Sequence, residues 1–289
     1  MSRRGIGGLS KPPKKYRIKA GILEDGSWFA FETLDEARSE DETRVKILSR
    51  LTSKKSRIDH QWRRREIRAL VDCIESASTI ASSVRMRKHR KRVGGHLEWF
   101  RHRTGGDVRF FTLLPANWVY PAGSLHGADA IKLLAALRQA LRRKGADRAS
   151  GWLFAYIDGE YDPTSRTFRL HVHGLASGEM IDVVRRIKNA RNLQPEGKSK
   201  LPGAVRLPVQ FKRMVRTPKK LATYCMKSFW CERPVFEDAE MKPKRPRGKR
   251  RINYLQPFAE HLLWQDRWSI QNLALLMGMS VREGRFEVH

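Results

Sequence analysis

The stretch FRLHVHGLA, Phe168 to Ala176, places His171 and His173 one residue apart inside an apolar run. Such a run reads as a β-strand, where residues i and i+2 face the same side. Two neutral imidazoles held side by side can share a divalent metal, and such a site takes a further oxygen ligand. A second strand run, about 152–160, precedes it, and YDPTSR joins the two, with Asp162-Pro163 initiating a turn. With the turn centred between Thr164 and Ser165, Asp158 falls opposite His171, and Glu160 lies diagonal to it. Both acids share the parity of Tyr156 and reach the histidine face, so Asp158 and Glu160 compete as third ligand. A register slip of one residue would carry both to the other face.

Another reactive pair stands in TYCMKS, where Tyr224 and Lys227 are three residues apart. The segment from Thr217 to Trp230 reads as a helix, with Thr217 as N-cap and Pro218 at its first position. On a helix that spacing puts both side chains on one face. A tyrosine hydroxyl, with a pKa of about 10, is a poor nucleophile at neutral pH. A nearby cation or metal favours its phenolate, and a lysine on the same face can hold a phosphate under attack.

The elements that must position these groups follow from the patterning between 108 and 230. VRFFTLLP, Val108 to Pro115, is a short strand stopped by proline. ADAIKLLAALRQALRRKG, Ala128 to Gly145, is an amphipathic helix with basic residues in its last turn and glycine after it. The hairpin comes next, then a helix over EMIDVVRRIKNARN, Glu179 to Asn192. AVRLPVQFKRMV, Ala204 to Val215, is a strand interrupted by Pro208, and the Tyr224 helix closes the series. The order strand, helix, hairpin, helix, strand, helix predicts an α+β fold: an antiparallel sheet with helices on one side.

The flanks differ in character. Residues 1–20 hold seven Lys/Arg and no acid, which predicts a flexible basic arm. Residues 21–105 form a mostly helical basic region, opening with a short strand or hairpin at 21–35. Within it Trp62, Ile67, Leu70, Val71 and Ile74 recur at helical spacing. Residues 106–231 make up the domain that carries the reactive groups, 232–257 a basic Pro-rich linker, and 258–289 a C-terminal helical segment. The net charge of +29 calls for a polyanionic partner, most simply nucleic acid. The expected phosphate contacts are Arg87, Lys88, Arg90, Lys91 and Arg92 in VRMRKHRKR, with Lys219 and Lys220 ahead of Tyr224. Lys242, Lys244, Arg245, Lys249, Arg250 and Arg251 in KPKRPRGKRR complete the set. No apolar run is long enough to span a bilayer, and the N-terminus lacks a signal-peptide core, so no membrane partner is expected. Cys73, Cys225 and Cys231 lack C-x-x-C spacing, which fits a reducing cytoplasm and argues against a disulfide framework or structural zinc.

Taken together, a strand-borne His-x-His followed some fifty residues later by Tyr-x-x-Lys, in a basic α+β chain, resembles the HUH endonucleases. The likeness is greatest to their single-tyrosine initiators of rolling-circle replication. FFTLLP, Phe110 to Pro115, looks like their first motif, His171-Val172-His173 like the second, and Tyr224-Cys225-Met226-Lys227 like the third. The resemblance covers about residues 106–231 and implies a ferredoxin-like palm. It also implies a chemistry: Mg2+ or Mn2+ held by the two histidines and an acid, and Tyr224 attacking the scissile phosphate. The product is a 5′-phosphotyrosine and a free 3′-hydroxyl that can prime synthesis. The implied function is a site-specific single-strand DNA endonuclease and strand transferase that initiates rolling-circle replication. A transposase or mobilisation relaxase would use the same chemistry, and a non-catalytic basic DNA-binding regulator is the competing reading. Ser228 and Phe229 follow Tyr224 one turn on, so the helix offers one nucleophile. No Walker A pattern is present, so unwinding of an extruded or single-stranded origin would fall to a host helicase. Trp152, Trp230, Trp264 and Trp268 are read as core.

Overall fold

A computed structural model describes residues 5–22, 28–52, 61–187, 209–214, 223–227, 229–233, 236–237, 243–244 and 250–288. Residues 5–20 do not form a loose arm. Ile6, Leu9, Pro12 and Ile18 are buried, while most of the intervening basic residues face solvent. The amide of Ser10 donates to the Gly284 carbonyl at 2.9 Å, and His96 contacts the Ser10 carbonyl at 3.0 Å. Apolar residues spaced among the lysines therefore tie this segment to the body.

Strands β1 (Gly21–Ile22) and β2 (Trp28–Phe29) pair as an antiparallel hairpin. Three helices follow: α1 (Leu34–Thr52), α2 (Gln61–Glu75) and α3 (Ser83–Thr104). Thr33 and Glu36 cap α1 reciprocally, at 3.1 and 2.7 Å. The start of α3 is capped from outside. Buried Asp41 on α1 accepts from the Ser82 hydroxyl and the Ser83 amide, each at 2.6 Å, and from the Val84 amide at 3.1 Å. One carboxylate thus satisfies amides that no helical carbonyl can reach. Ile67, Leu70 and Ile74 are buried as their spacing predicts.

Beyond Gly105-Gly106 the chain becomes mixed: β3 (Val108–Leu113), β4 (Val119–Pro121), α4 (Ala130–Arg143), β5 (Leu153–Asp162), β6 (Thr167–Ser177), α5 (Met180–Arg186) and β7 (Val209–Met214). Asp129 caps α4 through the amides of Ile131 and Lys132. Four two-residue strands follow: β8 (Cys231–Glu232), β9 (Phe236–Glu237), β10 (Pro243–Lys244) and β11 (Arg250–Arg251). The main sheet runs β11-β8-β5-β6-β3-β7, with β4 added to β6 and β12 (Ala274–Met277) added to β5. Its pairs are antiparallel except β5 with β8. This is the expected α+β class. Helix α4 matches its predicted place, and α5 and β7 fall within the expected helix 179–192 and strand 204–215, whose residues 188–192, 204–208 and 215 lie outside the described residues.

The last stretch departs from expectation. Only α6 (Leu255–Asp266) is a long helix there; a short 3-10 turn, Ile270–Leu273, leads into β12, β13 (Met279–Arg282) and β14 (Arg285–Val288). The apolar run LALLMGM suits either structure by composition, and two turns decide it. Gly278 adopts φ 64°, and Glu283 and Gly284 adopt φ 46° and 76°, the pair of positive values that a tight β-hairpin requires. Trp152, Trp230 and Trp264 are buried in the core, and the Trp264 indole donates to the Ala128 carbonyl at 2.8 Å. Among the described residues no helix is long and apolar enough to cross a membrane.

Candidate active site

Pairing of β5 with β6 sets Asp158 opposite His171 and Tyr156 opposite His173, the register that a turn centred at Thr164 and Ser165 demands. Asp158, His171 and His173 are all buried. The two Nε2 atoms are 3.1 Å apart, and the Asp158 Oδ2 atom lies 3.4 Å from that of His171 and 3.3 Å from that of His173. One ligand atom from each residue falls within 4.8 Å of the others. Glu160, the competing acid, is drawn away: Arg233 pairs with it at 3.2 Å. The geometry brings Asp158 to the histidines and leaves Glu160 outside the cluster.

The far nitrogens of both rings are also engaged. His173 Nδ1 is 2.9 Å from the Thr112 hydroxyl, whose residue is its cross-strand partner on β3, and His171 Nδ1 faces the Arg169 carbonyl at 3.4 Å. A carbonyl can only accept, so a cation on His171 Nε2 would leave that ring's proton on Nδ1, facing Arg169. A cation on His173 Nε2 would likewise leave an Nδ1–H to donate to Thr112. Oxygen acceptors behind imidazoles are the usual support of metal-binding histidines. Two imidazoles and a carboxylate converging this way fit a divalent cation, with Asp158, His171 and His173 as its holders.

Asp158 has a local peculiarity. The second edge of β5 is covered by β12 over 153–156 and by β8 over 160–161, so residues 157–159 lie between two late-arriving strands. There the Gly159 amide donates to Asp158 Oδ1 at 2.9 Å, which fixes the carboxylate with Oδ2 toward the histidines. Gly159 itself is required by contact: a Cβ would sit 2.6 Å from the Trp230 ring. Trp230 in turn stacks on buried His261, with ring centroids 5.7 Å apart.

Tyr224 and Lys227 close over this cluster. Thr223, Tyr224 and Cys225 form a helical turn that ends before Lys227, while the earlier part of the expected helix, from 217, lies outside the described residues. The Tyr224 ring is 5.1 Å from that of His173 and 5.8 Å from that of Phe110, and Phe110 stacks on His173 at 5.5 Å. Lys227 Nζ pairs with Asp158 Oδ2, lies 3.4 Å from His173 Nε2 and stands 4.6 Å from the centre of the Tyr224 ring. Burial pushes the Asp158 carboxyl up, but Lys227 and hydrogen bonds with both histidines outweigh it and hold it well below the usual range. Burial likewise lowers Lys227, yet Asp158 and Tyr224 raise it above its ordinary value, so the ammonium stays charged. Desolvation lowers His173 to about 3, only partly opposed by Asp158, so the ring is neutral at pH 7 and able to offer a lone pair.

No family model, curated protein or solved structure matches the chain. The case for a function therefore rests on these side chains.

The basic residues expected at phosphates divide into groups. Lys88 is exposed on α3, and Arg250 is exposed on β11. Lys91 and Arg92 are half-buried, and burial together with Arg87 and Arg17 lowers Lys91. Three others are occupied internally, contrary to expectation. Arg87 donates to the Glu32 carbonyl at 2.8 Å, Arg90 pairs with the Glu32 carboxylate, and Arg251 holds Glu40 through two hydrogen bonds. Each is drawn inward by an acid or carbonyl on the α1 side, contacts distant in sequence. Lys244 lies in β10, while Lys219, Lys220, Lys242, Arg245 and Lys249 fall outside the described residues. Sequence reasoning missed Thr112 as a histidine partner, because only the β3–β6 pairing brings it to His173.

Proposed function

We propose that the protein is a metal-dependent endonuclease and strand transferase of single-stranded DNA, with Tyr224 as nucleophile. The observation that carries this reading is the convergence of Asp158, His171 and His173 directly beside the Tyr224 ring. Mg2+ or Mn2+ held by those three residues would polarise the scissile phosphate as a Lewis acid. The chain supplies the rest. The Tyr224 oxygen attacks phosphorus, forming an O–P bond as the bond to the 3′-oxygen breaks; the phenolic proton passes to water, and the leaving oxygen takes up a proton as a 3′-hydroxyl. Lys227 is already protonated, so it acts as a cation that favours the phenolate and the phosphate rather than as a base. Phosphoester energy is kept in the 5′-phosphotyrosine, and a later 3′-hydroxyl can reverse the step. Initiation of rolling-circle replication is the role this chemistry suits, with transposition and mobilisation as relatives of it.

One observation favours a second reading. The Lys227–Asp158 ion pair neutralises the carboxylate from within, as in a buried structural network of a DNA-binding regulator. A single assay separates the two. Purified protein is incubated with Mn2+ and an end-labelled library of single strands, and covalent adducts are resolved on a denaturing gel. The expected result is an adduct that disappears with chelator while binding persists, and that Tyr224→Phe does not form. An adduct formed by Tyr224→Phe assigns the nucleophile elsewhere; binding with no cleavage of any strand establishes the regulator.

A further inference from the structure

We propose that Arg90, on the N-terminal helix α3, is a positioning residue for Tyr224, so that the N-terminal region forms part of the active site. The inference rests on the reading of Tyr224 as nucleophile. Arg90 was expected at a phosphate, but its side chain is spent on three protein partners. Its Nε–H donates to the Thr223 carbonyl at 3.1 Å, its terminal nitrogen pairs with the Glu32 carboxylate, and its guanidinium lies 5.0 Å over the Phe31 ring. Phe31 is buried against Ile18 and also carries Arg87 at 5.6 Å, while Arg87 donates to the Glu32 backbone. Both arginines are therefore braced by the short segment that leads into α1.

Thr223 is buried away from water, and the guanidinium gives its carbonyl a charge-assisted hydrogen bond there. The bond lands on the residue immediately before Tyr224, and it fixes the backbone from which the nucleophile projects. A small displacement of a reacting group lowers rate far more than it lowers binding. Lysine could keep the charge near Glu32 and Phe31, but it lacks the planar fork that serves carboxylate and carbonyl together. With Glu32 neutralising it, Arg90 contributes little field toward a DNA strand.

The test compares wild type, Arg90→Ala and Arg90→Lys by single-turnover cleavage at saturating single strand and Mn2+, by strand affinity across a salt series, and by amide hydrogen exchange. The expected result for Arg90→Ala is a cleavage rate lower by about 10- to 100-fold. Strand affinity should stay within about threefold with an unchanged salt slope, since no phosphate contact is lost. Exchange should rise at 223–227 and stay unchanged at 167–177. Arg90→Lys should recover only part of the rate. Weakened strand affinity with a shallower salt slope and an intact saturated rate would make Arg90 a phosphate contact and overturn the proposal. Accelerated exchange throughout would reduce Arg90 to a residue of general stability. Should wild type cleave nothing, the nuclease reading fails by itself, and exchange at 223–227 still decides the bracket: no change there removes it.

Discussion

At the scale of single residues, the site depends on which nitrogen of each imidazole holds its proton. His173 is set by Thr112, 2.9 Å from Nδ1 on the neighbouring strand. Thr112→Val keeps the shape and strand preference of the side chain and deletes only the polar contact. The expected outcome is Mn2+ affinity lower by about 10- to 100-fold, measured by calorimetric titration, with unfolding unchanged. Equal affinity in the two proteins would show that the hydroxyl does not orient the ring. Much of this scale was legible beforehand. The spacing in LHVHG and the YDPTSR turn give the face and the register that put Asp158 opposite His171. The choice between Asp158 and Glu160 was not legible, because it depends on Arg233, which approaches Glu160 from a different strand connection. Thr112 and Arg90 were invisible for the same reason: their partners, His173 and Thr223, are remote in sequence.

At the scale of elements, β6 is held between β3 and β5 so closely that one position admits no side chain. A Cβ on Gly174 would come within 2.3 Å of the Phe111 ring and 2.6 Å of the Phe154 carbonyl oxygen. The ring could shift, but the backbone oxygen belongs to the β5–β6 ladder. Gly174→Ala is expected to destabilise the fold by about 1–3 kcal/mol through overpacking beside His173. Urea unfolding checks this, and an unmoved midpoint would show that the strands part at little cost. Hairpins and amphipathic helices such as α4 were legible because each carries its own period and caps. The C-terminal strands were not, since LALLMGM satisfies both periods and only the positive-φ turns at Gly278 and Gly284 decide between them. Residues 5–20 were misread because their few apolar anchors are diluted by lysine and arginine.

At the scale of the whole molecule, the chain carries +29 and also buries several neutral histidines. Desolvation, reinforced by neighbouring cations, lowers His89 to about 4 and His261 to about 3, and desolvation also lowers His96. The unfolded chain, with histidines near pKa 6.5, binds more protons than the folded one below that pH. Stability therefore rises with pH in this window: it is complete above about 6.5 and is lost as pH falls toward the folded values. Each such histidine contributes up to about 1.4 kcal/mol per pH unit. The thermal midpoint is expected to drop between pH 6.5 and 5, where carboxylates are still ionised, and a flat profile there would contradict the buried neutral rings. The charge was legible in composition alone, whereas the internal pairing of Arg90 and Arg251 required the tertiary contacts of Glu32 and Glu40.

The gap on the second edge of β5 has a further consequence, in time rather than in space. The strand bearing Asp158 is synthesised long before β8 and β12, which flank the gap. A growing chain can form the β5–β6 hairpin early, yet it leaves the other edge of β5 open until residues 274–277 have left the ribosome. The carboxylate reaches its finished surroundings only after residues 274–277 have been made, so a nascent chain holds both histidines before their neighbouring acid is fully enclosed.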